Sequence, residues 1–267
     1  MDGFFDKYGR VIIIAVAICF VLLFLTPMRN VVGSSINGFV GNFANKVGES
    51  LGTVKMPDAG IVQSGSILKI EGNKYIVLEK RENNQALVMT TDSIGNKKFQ
   101  STYDIVYPSF LRPDGQNANT YEGSDIDNYL ENEWYNGLSA KIQSAIQTTD
   151  IKQASYTGYD DPDSKQETGY NGQVYNTISR HAFLPSVSEI GKVVDLKNVS
   201  KVNKFLKYTS TWTRDSYQGD SSHAKYLMIN YGVLDCQTVS SPTGTRPAFV
   251  IDLSKVDYTV EGTTNYK

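Results

Sequence analysis

The chain has 267 residues, enough for one sizeable domain with an appendage or for two small domains. Its hydrophobic content of 40% supports a packed core, and its formal net charge is −2 with no run of lysine or arginine. That excludes a phosphate-binding surface of the kind nucleic acid demands, which needs concentrated positive charge. Cys19 lies in an apolar segment and Cys236 far downstream, so no intramolecular disulfide is expected. Seventeen tyrosines against two tryptophans, set among Asn, Ser, Thr and Gly, match the palette of binding loops; the same residues also populate half-buried strands.

The first element is apolar. From Val11 to Thr26 there is no charge, and Gly9 and Pro27-Met28 extend the stretch toward the roughly 17–25 residues that span a bilayer. No clean small-x-small cleavage site follows Leu25, so the segment reads as an uncleaved signal anchor. Lys7 and Arg10 precede it and only Arg29 follows closely, which places the amino terminus inside and the polar remainder outside. The expected location is therefore the cell membrane, single-pass, with an extracellular C-terminal head in contact with membrane lipid only through its anchor. Next, Val32, Ile36, Phe39, Val40, Phe43, Val47 and Leu51 recur at helical spacing and form one apolar face, suited to self-association with copies of the same helix. In outline this resembles the N-terminal helix of type IV pilins, which implies a structural subunit of a surface filament. Gly3-Phe4 is present, but the leader is only three residues long and no Glu follows early in the apolar run.

The expected organisation is an anchor and amphipathic stalk over 1–50, a Gly- and Pro-bearing linker over 51–65, a head over 66–254 and a tail over 255–267. The head opens with strands in "SILKIEG", "NKYIVLEK" and "QALVMTTD", the first two joined by a turn at Gly72-Asn73. Three helix starts follow. Ser124 with Asp127, Ser139 before Ile142, and Ser186 with Glu189 all have capping spacing. Between the second and third lies a polar stretch, 148–177, with Asp160, Asp161, Asp163 and Glu167. Four acids offer oxygen ligands for calcium, but their order does not fit an EF-hand and Pro162 interrupts them, so the stretch reads as a solvated acidic loop. Short strands close the chain: "YTSTWTRD", "YLMINYG", "LDCQTV" and "RPAFVIDLS", the last expected beside the first. Strands, then helices, then strands predict an α+β head.

The landmarks Ser124-Asp125-Ile126 with Leu130 and Trp134-Tyr135, "FLPSVSE" from Phe183, Trp212-Thr213-Arg214, Gly232 and "GTRPAFVI" from Gly244 occur in a characteristic order. Over residues 60–254 they resemble an uncharacterised bacterial extracellular domain family, itself similar to the C-type-lectin-like superfamily that includes the formylglycine-generating enzymes. Pro185 and Asp215 depart from the family pattern. The resemblance implies a loop-rich C-type-lectin-like head that binds an unknown protein or glycan ligand, with its contact surface on the loops before and between the last strands: Arg214, Tyr217, Asp220, His223 and Tyr226. Arg214 and Arg246 have a structural alternative, bracing loop carbonyls or acids with their fixed forks.

Catalysis is not expected. Formylglycine-generating relatives use paired cysteines with copper, and the head has Cys236 alone. The only histidines, His181 and His223, stand in no nucleophile elbow and supply too few ligands for zinc. No Gly-rich phosphate loop and no lectin-type calcium triplet occurs. The sequence therefore points to a non-enzymatic adhesion or ligand-recognition module without cofactor or metal. A filament subunit is the second reading, and an unrecognised hydrolase the third.

Overall fold

Strands whose side chains alternate between two apolar faces build the described part of the chain. The structure, a computed structural model, describes residues 61–106, 109–153, 176–217, 220–230 and 234–267. The expected anchor and amphipathic helix, most of the linker, and Asp160, Asp161, Asp163 and Glu167 lie outside the described residues. In chain order the strands are β1 (Ser66–Ile70), β2 (Asn73–Lys80), β3 (Gln85–Thr90), β4 (Asn96–Lys97), β5 (Asp104–Val106), β6 (Ser109–Leu111), β7 (Ile146–Gln147), β8 (Thr149–Gln153), β9 (Asn176–Arg180), β10 (Thr211–Ser216), β11 (His223–Leu227), β12 (Leu234–Thr238), β13 (Thr243–Gly244), β14 (Ala248–Asp252) and β15 (Tyr258–Thr263). The helices are α1 (Asp125–Asn128), which runs into a π-helical turn at Tyr129–Trp134, α2 (Ala140–Ala145), α3 (Val187–Gly191) and α4 (Val199–Leu206).

A six-stranded sheet has the order β15-β1-β2-β3-β14-β7, and a five-stranded sheet the order β12-β11-β10-β13-β4. Hairpins β5-β6 and β8-β9 form two further ladders. Successive side chains of a strand point to opposite faces, and the large sheet is covered on both. Ile76, Leu78, Leu87, Met89, Ala248 and Val250 enter the larger core, which also takes Phe99, Leu184, Val202 and Trp212. Tyr75, Val77, Ala86, Val88, Phe249 and Ile251 enter a second core, where Ile142 and Ala145 of α2 pack. The β1-β2 hairpin turns at Glu71-Gly72, both at positive φ, as a type I′ turn requires.

The expected α+β lectin-like head is corrected by these elements: the described chain is mostly β-sheet, with α-helices of four to eight residues. The cap signals are real, but a cap fixes where a helix begins and not how far it runs. Ser124 accepts from the Asp127 N–H, yet α1 loosens into the π-helical turn after one turn. Ser139 starts α2, and Ile146, already extended at φ −70° and ψ 134°, begins β7. Among the described residues no helix is long and apolar enough to cross a membrane. The closing topology differs as well. β14, expected beside the first strand, inserts between β3 and β7, and it is β15 that pairs with β1. The ends of the expected 148–177 loop are not loop: β8 and β9 pair in register from Thr149↔Arg180 to Gln153↔Asn176.

Candidate functional site

The motif residues converge first on packing. Trp212, from the start of β10, is fully buried, stacks edge-on against Phe99 and donates its indole N–H to Lys97 O at 2.9 Å. Arg214, two positions along, is 2% exposed. Its Nη1 and Nη2 donate to the Glu189 carboxylate at 2.6 and 2.9 Å, and its remaining N–H groups reach Lys152 O and Leu184 O. Glu189 also accepts from the Ser186 N–H and completes the capping box of α3 that the S-x-x-E spacing predicts. Burial pushes the Glu189 carboxyl up, but the guanidinium charge, its hydrogen bonds and the Ser186 N–H outweigh this and hold it below the usual range. Asp215 accepts from the Val187 N–H at 2.6 Å, satisfying a second open donor at the same helix start.

The other expected contact residues divide. Tyr226 is buried beside Trp212. Tyr217, Asp220 and His223 come together on one loop, gathered by the Asn119 side-chain N–H groups, which reach the carbonyls of all three. His223 Nδ1 lies 3.0 Å from Asp220 Oδ2, while Nε2 faces the Thr238 hydroxyl at 3.3 Å. The Ser222 hydroxyl donates to Asp220 Oδ1 at 2.7 Å and also touches His223 Nδ1. Burial raises Asp220, but the Ser222 hydrogen bonds and the neighbouring imidazole together leave its carboxyl below the ordinary value. His181 repeats the pattern, with Glu131 on Nδ1 at 2.7 Å, the Thr148 hydroxyl on Nε2 at 3.0 Å, and Tyr135 stacked on the ring.

Ser222 is not placed as the nucleophile of a serine relay on His223. Ser222 and Asp220 occupy the same ring nitrogen of His223, whereas a relay needs the nucleophile on one nitrogen and the carboxylate on the other. At His181 the second Glu131 oxygen accepts the N–H groups of His181 and Ala182, so this carboxylate clamps a strand end. Among the described residues no group of three or more His, Cys, Asp or Glu is placed to hold a metal.

A concave surface lies elsewhere among the described residues, on side chains the sequence reading passed over. The helix α4 is capped at Asn198, whose side chain accepts from the Lys201 N–H, and buries Val202, Phe205 and Leu206. Its last carbonyls are met from below by Arg246, 1% exposed, which donates from Nη1 to Phe205 O at 2.9 Å and from Nη2 to Leu206 O. Burial pushes the Arg246 guanidinium down to about 10, which leaves it cationic at neutral pH, where the negative end of a helix favours it. The chain then leaves α4 through two consecutive left-handed residues, Lys207 (φ 48°) and Tyr208 (φ 68°). That conformation costs roughly 1–2 kcal/mol at each non-glycine residue. It turns the Tyr208 ring outward, 84% exposed.

Beside Tyr208 runs an open groove of about 740 Å³, lined by Val199, Asn203, Lys204, Lys207, Tyr208 and Tyr266 among others. This volume lies within the range of ligand sites. Tyr266 is fixed by its backbone carbonyl, which accepts the Asp195 N–H, and by its ring against Phe205 at 6.1 Å. Asn203 Oδ1 accepts from the Asn230 N–H, so one wall is tied to the loop after β11. Lys207 reaches Asp92 at 2.9 Å. The signal for α4 was present as Val202, Phe205 and Leu206 at helical spacing after an Asn cap; the left-handed exit that makes the groove has no glycine to announce it.

The chain belongs to the DUF6273 family, a domain of unknown function, whose profile matches residues 83–253. That span holds the "SDI", "FLPSVSE", "WTR" and "GTRPAF" landmarks. No curated protein and no solved structure matches the chain.

Proposed function

We propose that the β-rich unit is a non-enzymatic recognition head, held at the outer face of a cell membrane by the apolar segment 11–26 and used for adhesion. The observation that carries this reading is the groove beside Tyr208. Two aromatic rings and two lysines converge there, on a frame that accepts backbone strain to display one of them.

The test has two arms. Protease treatment of intact cells that make the full chain should remove the head while leaving the apolar segment cell-associated. The purified chain, kept in mild detergent, should bind cell-envelope fragments saturably. Tyr208→Gly should weaken that binding about tenfold, the cost of losing one aromatic anchor. A protease-resistant head, or envelope binding that rises linearly without saturation, overturns the reading.

A further inference from the structure

We infer that the groove beside Tyr208 binds an anionic polysaccharide, with Tyr208 and Tyr266 against sugar faces and Lys204 and Lys207 facing its carboxylates. This rests on the recognition-head reading and names the ligand class of the same groove.

Three observations carry it. The first is charge. The groove's lining holds two lysines and no acid. Lys197, Lys201, Lys204 and Lys207 recur every three or four positions, in a chain whose formal net charge is −2. Lys207 is shared with Asp92, which is itself 70% exposed. Lys204 is exposed, with no ion pair among the described residues. A local cationic surface on a near-neutral protein selects an anionic partner.

The second is the aromatic pair. Tyr208 stands almost wholly in solvent, where an apolar ring gains nothing by folding. Its left-handed backbone is fixed from behind by the buried Arg246 fork on Phe205 O and Leu206 O and by the Thr209 N–H to Leu206 O bond. A strained residue that the surrounding structure over-determines points to function. A tyrosine face suits the C–H surface of a sugar ring, and its hydroxyl suits the ring's substituents.

The third is the rest of the lining. Asn203 and Ser200 add amide and hydroxyl groups to the lining. The walls come from α4, the loop after it and the chain's last residues, and no strand of the described sheets lines them. A peptide bound by strand addition would need a sheet edge; a sugar chain needs only rings, hydroxyl partners and charge.

The experiment passes the full chain, in mild detergent, over immobilised polygalacturonate, over polyglutamate of similar charge density and over neutral dextran. Retention by polygalacturonate that falls with added salt is expected. Lys204→Ala should weaken it about threefold. Tyr208→Gly should weaken it about tenfold. Tyr208→Gly should melt no lower than the parent, because glycine adopts positive φ without steric cost; a fall in binding with an unchanged or raised melting temperature separates recognition from folding. Equal retention on polyglutamate overturns the proposal, since charge alone would then suffice. Equal retention on dextran also overturns it, as does retention indifferent to Tyr208→Gly. Should no column retain the chain while it still binds envelope fragments saturably, the sugar class falls and the recognition head stands.

Discussion

Arg214→Met is expected to destabilise the head by about 3–5 kcal/mol at pH 7, the usual result of removing one partner from a buried ion pair. The methionine side chain fills a similar volume but leaves Glu189 charged and largely enclosed, and leaves the carbonyls of Lys152 and Leu184 without their donor. Urea unfolding followed by tryptophan fluorescence measures the loss, since Trp212 lies two residues away in the core. The pH dependence identifies the cause. In the parent, Glu189 is held below its unfolded value of about 4.3. A depressed carboxylate contributes stability that is present above the unfolded value and is lost as pH falls through the folded one. In Arg214→Met, burial acts on Glu189 without the guanidinium, so its folded value should rise above the unfolded one. That contribution has the opposite sign: it is present at low pH and disappears as pH rises through the raised value. The stability gap between parent and variant should therefore narrow as pH is lowered from 7 toward 4. A gap that stays constant would show that lost packing, and not the buried carboxylate, sets the cost. Glu189→Gln added to Arg214→Met should recover part of the loss, because glutamine keeps the capping oxygen without the charge.

Gly244→Val is expected to cost about 3 kcal/mol or more. A Cβ at Gly244 would stand 2.3 Å from Ser210 O and 2.7 Å from the Thr209 methyl group, and the first of these is backbone that cannot rotate aside. Relief requires β13 to move off β10, breaking their Thr211↔Gly244 pairing. The same shift would carry Arg246, two residues on, away from the carbonyls of Phe205 and Leu206. Two readouts should fall together: the melting temperature of the head, and envelope binding through Tyr208, measured well below that temperature. Loss of stability with full binding in the cold would mean that the Arg246 fork does not position the groove.

Several local parts of this structure were legible in the residues. Ser186 with Glu189, Ser139 before Ile142 and Ser124 before Asp127 announced helix starts, because a capping bond spans three residues and depends on nothing distant. Most strand segments followed from alternation and β-branched content, but the segment read as "YLMINYG" holds only the end of β11, which spans His223–Leu227. What misled was treating three caps as three full helices. The lengths were settled by contacts far away in the chain, such as the pull of Ile146 into the sheet beside Ile251. Partner choice among strands was likewise invisible, since β14 meets β3 across more than half the family span. In the landmarks "WTR" and "GTRPAF" the bracing role read for Arg214 and Arg246 is the one the structure shows. Trp212 fills the core, Arg214 binds the Glu189 carboxylate, Gly244 admits a crossing backbone, and Arg246 closes a helix end. The groove escaped notice for a different reason. Lys207 and Tyr208 carry no sequence mark of a left-handed turn, and Tyr266 joins them only after the chain's last residues dock beside Val194.

The placement of β14 has a consequence for how the protein is made. A strand encoded at Ala248–Asp252 occupies an interior position of the larger sheet, with β3 on one side and β7 on the other. A nascent polypeptide emerging from a ribosome or an export channel can zip β1, β2 and β3 into a meander, yet β3 keeps an open edge until Ala248–Asp252 has been delivered. During that interval the unfinished meander is a template for stray pairing with its neighbours. Truncation ahead of Ala248 should accordingly yield aggregate in place of a smaller folded product, and chaperone dependence should be set by the time spent waiting for that one insertion.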